Sequence, residues 1–236
     1  MPVAYIGLRP GTFPSYGRSG QCCRRTPQDR DGWIEVFLLE LSAIFAGSTK
    51  HHWDILYNNM ASTFAEVGDP ATALQYILKV VEICERALPA DHPDLAMAYN
   101  NVGSLYSDMD DYGRALEYQL KAIAISEKVF PVDHPVLAAY YNNVGCVYGM
   151  LNDREKQMRY YDRAISIYDR TLMHDHPDFA DTCYNVAKAY VDMEQYAEAL
   201  EWARRAVDIT QCALPTDHVY RIVYQEFLTD LERVKQ

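Results

Sequence analysis

Residues 91–103 read DHPDLAMAYNNVG, and residues 133–145 repeat them almost unchanged as DHPVLAAYYNNVG. The motif returns at residues 175–187 as DHPDFADTCYNVA, and residues 217–218 (DH) begin a fourth copy in which Val replaces Pro. Each copy begins 42 residues after the one before it. Self-similarity at one fixed spacing is the signature of a protein that is built from stacked structural repeats.

Further columns of residues keep the same 42-residue register. They comprise an amide column, two aromatic columns, an aliphatic column and two columns of small residues. In that order, the columns are Asn59, Asn101, Asn143 and Asn185; Phe64, Tyr106, Tyr148 and Tyr190; Tyr76, Tyr118, Tyr160 and Trp202; Ile83, Ile125, Ile167 and Ile209; Ala61, Gly103, Gly145 and Ala187; and Val80, Ala122, Ala164 and Ala206. Small residues allow two helices to approach closely, and large aromatic residues fill the space that remains.

Each repeat unit has the pattern of a helix-turn-helix. From Pro93 to about Asp108, apolar residues recur at steps of three and four, as on one face of a helix. A polar break follows, and a second helix is predicted from about Tyr112 to Val129. The Asp of Asp-His-Pro is predicted to cap the first helix with its side-chain oxygen, and Pro suits the first turn because its missing donor is not needed there.

The pattern predicts an all-α chain of stacked helix pairs, because neither helix of a pair can bury its apolar face alone. A final apolar helix is typical of a cap, and an upstream segment has the pattern of a degenerate helix. The first segment combines Pro, Gly and Arg and is predicted to be disordered. The predicted boundaries are 1–31 for the disordered segment, 32–50 for the degenerate helix, 51–92, 93–134, 135–176 and 177–218 for four repeats, and 219–236 for the capping helix.

Composition excludes several classes of function. A net charge of −11 argues against a duplex nucleic-acid binder, which needs a basic face to release counterions. The six cysteines form no CxxC pair, which indicates reduced thiols and a cytoplasmic location. The most apolar stretch, residues 33–46, is too short and too charged to span a bilayer, so no membrane partner is expected.

The repeat resembles the tetratricopeptide repeat (TPR). The small–aromatic–Ala core of that family stands here as Gly103, Tyr106, Ala115 and Ala122. The 42-residue length, the YNNVG segments at 99–103 and 141–145 and the Pro-x-Asp-His-Pro linker are similar to the repeats of kinesin light chains and nephrocystin-3-type proteins. The resemblance covers residues 51–236 and implies a right-handed α-solenoid with a C-terminal capping helix.

The same resemblance implies a place for the ligand. First helices of such repeats line a concave groove, and the Asn of the amide column faces that groove and hydrogen-bonds the backbone of a bound peptide. An amide both donates and accepts, so a ladder of amides can hold an extended chain with little regard to its sequence. The predicted groove residues are Asn59, Asn101, Asn143 and Asn185, with Asn100, Asn142, Ser104, Cys146 and Lys188 beside them.

Two interpretations of the amide column remain open at this point. The amides line a groove, or they bond the adjacent helix and hold the stack together. The carboxylate clamp of some TPR proteins places Lys one turn before the Asn, where this chain has Ile55, Met97, Ala139 and Asp181. A clamp for acidic C-termini is therefore not expected, and the acidic array favours a basic or apolar ligand.

The His column at positions 92, 134, 176 and 218 invites a metal or acid–base interpretation. Equivalent residues in stacked helices lie on the order of 10 Å apart, whereas zinc ligands must all lie within about 2.3 Å of one ion. We therefore expect each His to bond at a helix start, and we expect no metal and no cofactor. The sequence has no GxSxG, Gly-rich phosphate loop or HExxH motif, so no enzyme is predicted.

The leading hypothesis is a protein–protein interaction module, an adaptor that binds a peptide or a partner helix in its groove as a monomer or a weak homo-oligomer. The alternative is a structural module, either a self-associating scaffold or part of a longer repeat array fused to another domain. The architecture alone does not choose between them, because one scaffold hosts many functions.

Overall fold

The computed structural model describes residues 57, 60–61, 64–65, 68–171 and 175–234. All of them belong to the second of the two units into which the chain divides, Thr49–Gln236. The helices are α1 (Pro70–Ala87), α2 (Pro93–Asp108), α3 (Tyr112–Val129), α4 (Pro135–Met150), α5 (Arg154–Thr171), α6 (Pro177–Asp192), α7 (Tyr196–Ala213) and α8 (Val219–Val234).

These described residues contain helices and no strand, and the all-α solenoid that the sequence predicts is confirmed. The observed bounds of α2 and α3 coincide with the predicted ones. Helices of 16 residues (α2, α4, α6, α8) alternate with helices of 18 residues (α1, α3, α5, α7). The segments 1–31 and 32–50, predicted to be disordered and to form a degenerate helix, lie outside the described residues.

Within each repeat the two helices approach closely at the column of small residues. A Cβ added to Gly103 would lie 2.5 Å from Gln119 Cγ, and one added to Gly145 would lie 2.5 Å from Tyr161 Cε1. Both distances are shorter than a carbon–carbon contact allows. In the next repeat the equivalent positions are Ala187 and the small Ala203, and both are buried. The first helix therefore has glycine where the second helix has a large side chain, and alanine where the second helix has a small one.

The two aromatic columns stack on each other inside the repeats. Ring centroids lie 5.7 Å apart in the pair Tyr106–Tyr118 and 5.5 Å apart in the pair Tyr148–Tyr160. Stacked pairs of this kind contribute about 0.5–1.5 kcal/mol beyond their buried area. Small residues such as Ala122 and Ala164 are fully buried beside them.

The turn between the two helices of a repeat has a left-handed residue in every repeat. Positive φ angles occur at Gly68 (80°), Asp110 (61°), Asn152 (57°) and Glu194 (59°), each 42 residues from the next. Gly, Asn and Asp tolerate this conformation best, whereas Glu pays a steric penalty. This turn is the polar break that the sequence shows after Asp108.

The cap of the first helices differs from the prediction. The residue at the N-cap is His, and its imidazole Nδ1 accepts from the backbone N–H two residues on. The distances are 3.2 Å for His92 to Asp94, 3.3 Å for His134 to Val136, 3.2 Å for His176 to Asp178 and 3.3 Å for His218 to Tyr220. The predicted capping by the Asp side chain was wrong, because the N-cap position immediately before the helix is occupied by His, one residue after Asp. The expectation that each His bonds at a helix start is confirmed.

The cap generates a prediction for α2. His92→Ala should lower the free energy of unfolding by about 1 kcal/mol, because one backbone donor loses its acceptor. His92→Asn should restore most of that loss, since an amide oxygen can accept at the same place. Asp91→Ala, at the exposed preceding position, should change stability by less than about 0.5 kcal/mol. Urea unfolding followed by circular dichroism would measure all three, and a larger loss from Asp91→Ala than from His92→Ala would contradict the assignment.

Candidate functional site on the first-helix row

The first helices of successive repeats form a row, here called the inner row: α2, α4, α6 and α8. Neighbouring members α2 and α4, and α4 and α6, pack directly on each other. The second helices α3 and α5 are bridged by long side chains, such as Arg163 to Glu127 at 2.6 Å. A stack whose two rows are spaced differently curves towards the closer row, so the first helices line the inner side of the array.

Amide side chains cross-link the inner row. Asn143 Nδ2 donates to Asn100 Oδ1 at 3.1 Å, and Asn185 Nδ2 donates to Asn142 Oδ1 at 3.3 Å. Each bond joins the amide column to the neighbouring column of the preceding repeat. The bonds hold adjacent first helices together, which is the role that the stacking alternative assigns to them. That the same amides also hold a ligand stays a prediction.

Between α6 and α8, the positions that hold the amide pairs in the earlier repeats hold aromatic residues instead. Tyr184 and Phe227 occupy the positions of the bonded amides, and their ring centroids lie 5.0 Å apart in an edge-to-face arrangement. Tyr224 stacks on Tyr184 at 4.5 Å and donates its hydroxyl proton to Asp181 Oδ1 at 3.0 Å. The capping helix α8 is therefore fixed by an apolar contact where the earlier helices use amides.

Asp181 is the polar centre of the inner row. Its carboxylate accepts hydrogen bonds from Asn142 Nδ2 at 3.3 Å, Asn185 Nδ2 at 3.2 Å and Tyr224 Oη at 3.0 Å. Burial raises the pKa of this carboxyl above its usual value, the three hydrogen bonds offset part of the rise, and the charge of Asp178 adds to it. A partly desolvated acid in contact with α4, α6 and α8 links three helices at one point.

A cleft of about 270 Å³ opens beside Asp181, between α4, α6 and α8. Its lining includes the predicted residues Asn142 and Asn143, and Tyr220 forms one wall. The Tyr168 hydroxyl lies buried in the lining, with no partner in good hydrogen-bonding geometry among the described residues. The cleft thus offers amide, carboxylate and phenol groups to a ligand.

A second cleft of about 240 Å³ lies at the other end of the inner row, beside α1 and α2. It contains the predicted residues Asn101 and Ser104, together with Asp108. The Ser104 hydroxyl donates to the backbone oxygen of Asn100 at 3.2 Å. Burial raises the pKa of the Asp108 carboxyl. The predicted amide Asn101 therefore lies in one cleft and Asn142 and Asn143 in the other, whereas Asn100 and Asn185 line neither of the two.

Two of the remaining predicted residues have different surroundings. The Cys146 thiol accepts from Tyr161 Oη at 3.4 Å, and burial raises its pKa to about 11, so the sulfur is turned towards the core. Lys188 is exposed, and its ammonium lies 5.5 Å from the centroid of the Tyr184 ring. Asn59 lies outside the described residues.

The sequence also contains a basic column that pattern reasoning missed. Its members are Lys79, Lys121, Arg163 and Arg205, spaced by 42 residues. Each cation lies over aromatic rings, as Arg163 does at 3.9 Å from the centroid of Tyr141. Such contacts contribute about 0.5–1 kcal/mol at exposed sites. The spacing alone could have revealed this column, because its period equals that of the amides.

Neither a metal centre nor a membrane span is found in the part of the chain that the structure describes. No three His, Cys, Asp or Glu side chains gather there as a metal would require. No helix there combines the length and apolar character that crossing a bilayer demands.

The geometry defines a class of protein: an α-solenoid of repeated helix pairs. Its sequence matches the model of the tetratricopeptide repeat over residues 54–128, 95–156 and 159–211, and a second TPR model matches residues 137–178. The matches cover more than half of the chain, so the protein belongs to the tetratricopeptide repeat family. Proteins of this family are typically scaffolds for protein–protein interaction. No curated protein gives a significant match to the sequence.

Several solved structures share this fold. A kinesin light chain-type protein with nearly identical TPR-like repeats, from Podosopora anserina, superposes with a TM-score of 0.64 at 20% identity, covering 80% of this chain and 89% of that one. BtubC (BKLC) from P. vanneervenii gives 0.67 at 17% identity, covering 89% and 88%. The apo form of RapI gives 0.63 at 17% identity, covering 75% and 63%. At these identities the likeness concerns the fold alone.

Asp181 generates a prediction about pH. Because its folded-state pKa is raised, its contribution to stability is present in full below its unfolded pKa of about 3.9 and is lost as the pH rises through the folded pKa. The free energy of unfolding of the wild type, minus that of Asp181→Asn, should therefore fall between pH 4 and pH 7.

The matched control is Asn100→Ala, which breaks a rung that contains no carboxylate. Its difference from the wild type should be constant over the same pH range in urea titrations. A wild-type advantage over Asp181→Asn that grows with pH would contradict the assigned direction.

Proposed function

We propose that this chain is an adaptor whose inner row binds a peptide or a partner helix. The observation that carries the proposal is the α4–α6–α8 cleft, where bonded amides, the Asp181 carboxylate and the exposed Tyr220 side chain meet on the inner side of the array. Amides that use one donor in the ladder keep a second N–H for a ligand. Holding the stack and binding a peptide are therefore compatible roles.

The composition of the inner row favours a basic or apolar ligand. Asp108 and Asp181 each lie beside a cleft, and Asp178 stands next to the latter. Met97 adds an exposed apolar side chain on α2, with 48% of its surface accessible. A Lys or Arg side chain would lower the cost of keeping a carboxylate charged in a half-buried site. A separate apolar side chain of the ligand would cover Met97, which lines neither cleft.

The groove role can be tested by truncating exposed apolar side chains on the two rows. A peptide selected from a random display library on the purified chain serves as the probe. Met97→Ala should weaken its binding about fivefold or more, because contact area on the inner row is lost. Leu120→Ala, which removes an exposed apolar side chain from the second helix α3, should change the affinity by less than twofold. Isothermal titration would measure both.

Asn143→Ala adds a second readout to the same experiment. It removes the hydrogen bond to Asn100 and should lower the free energy of unfolding by about 1 kcal/mol. If the inner row is the groove, Asn143→Ala must also weaken the binding of the peptide. If both Met97→Ala and Asn143→Ala leave the affinity unchanged, the inner row does not bind the peptide and the adaptor proposal is lost.

The alternative, a self-associating scaffold, is favoured by one specific observation. The capping helix α8 leaves Val219, Ile222 and Val223 exposed, with 66%, 46% and 38% of their surfaces accessible. The polar residues Thr229 and Glu232 stand where Gly103 and Tyr106 receive a second helix in an earlier repeat. Ile222 itself stands at the position of Ala96, Ala138 and Ala180, which are fully buried in the earlier repeats, so it exposes apolar surface that those repeats cover.

Light scattering distinguishes the two functions. A scaffold predicts that the molar mass rises with protein concentration and that Ile222→Glu abolishes the rise, because a charge is placed in an apolar contact. Gln225→Glu, an exposed change on the same helix, is the control for added negative charge. A constant monomeric mass across concentrations would eliminate the scaffold and leave the adaptor.

A further inference from the structure

The outer side of the array contains a cleft that neither the repeat pattern nor the inner row explains. Its volume is about 660 Å³, larger than that of either inner cleft, and it lies between α3, α4 and α5. We call it the arginine cleft, because Arg159, Arg163 and Arg170 line it. Clefts of about 300–1,000 Å³ are the size that binds small ligands and side chains of partners.

The polar lining of the arginine cleft follows one face of α5. Arg159, Arg163, Ser166 and Arg170 are separated by steps of four, three and four residues, which places them in one stripe. The apolar lining comes from below, where Leu137 and Ile167 are almost fully buried. A ligand in this cleft would meet guanidinium groups along one wall and the exposed aliphatic side chain of Val132.

Within the part of the chain that the structure describes, only Arg163 of these three arginines forms an ion pair with a carboxylate. Arg163 pairs with Glu127 at 2.6 Å and with the Tyr141 hydroxyl at 2.6 Å. Arg170 Nη2 donates to the backbone oxygen of Val132 at 3.2 Å, and Arg159 is exposed. With Glu127 and Asp162 also in the lining, the cleft has a net charge of +1 on a chain whose total is −11.

The other repeats show that Arg159 is not part of the architecture. The position of Arg159 is Gln75 in α1, Glu117 in α3 and Glu201 in α7, whereas the position of Arg163 is basic in every repeat. In α3 the equivalent pair, Glu117 and Lys121, forms an ion pair at 2.6 Å and leaves no excess charge. The stack therefore does not require an arginine at position 159.

We propose that the arginine cleft binds an acidic peptide segment, in which adjacent Asp or Glu side chains are flanked by apolar residues. Guanidinium groups match carboxylates through two parallel hydrogen bonds, and the apolar residues would cover Val132, a lining residue with 74% of its surface accessible. Arg159 and Arg170 pair with no described carboxylate, so each can receive one acidic side chain of such a segment, whereas a phosphate concentrates its two charges on one group. This site shares no lining residue with the two inner clefts proposed above and takes a ligand of opposite charge.

The test uses an array of decapeptides in which a central pair of Asp or Glu is flanked by varied apolar residues. A matched array has Asn or Gln in place of the acids, and a third has phosphoserine. The wild-type chain should be retained by members of the acidic array and not by their amide counterparts. Arg159→Glu and Arg170→Glu should weaken binding of the best acidic peptide at least tenfold in isothermal titration, and the wild-type affinity should fall as salt is raised.

Lys188→Glu is the matched control, because it makes the same change of charge on the exposed surface of the inner row. It should leave the affinity for the acidic peptide within twofold of the wild type. Arg159→Gln should give an intermediate loss, and thermal melts would verify that each variant is folded. Equal weakening by Lys188→Glu, retention by the amide array, no retention by any array, or tighter binding of phosphoserine peptides would each overturn the proposal.

Discussion

A pair of 16- and 18-residue helices, such as α2 and α3, has apolar side chains on more of its surface than the two helices cover for each other. The pair buries the rest only against the next pair, so stacking at a constant register is the constraint on which the fold depends. Small residues at positions 103 and 145 allow the close approach, and the aromatic columns fill the space beside them. The register, the turns and the histidine caps all serve this stacking.

The two rows of the stack are held by different chemistry. On the inner row, short amides join helices that touch, and the Asp181 carboxylate ties α4, α6 and α8 together. Between the second helices α3 and α5, long cations such as Arg163 span a wider gap and lie over aromatic rings. Side-chain length thus follows the spacing of the helices, and spacing sets the curvature.

Different chemistry on the two rows also separates the surfaces that ligands can reach. The inner clefts contain amides, Asp108 and Asp181, whereas the arginine cleft has a local positive charge on an acidic chain. Ligands of opposite charge would therefore be directed to opposite sides of the array. A scaffold with two such sides could hold two partners at once without competition between them.

The sequence by itself determined the helix pairs, their 42-residue register and the bounds of α2 and α3, because periodicity and the turn residues are local properties of the chain. It placed Asn142 beside Asn143 in a predicted groove but left their role open. Only the tertiary structure decided that Asn143 bonds Asn100, that His92 and not Asp91 caps α2, and that Cys146 turns inward. These contacts depend on the distance and rotation between helices, which a repeat period does not specify.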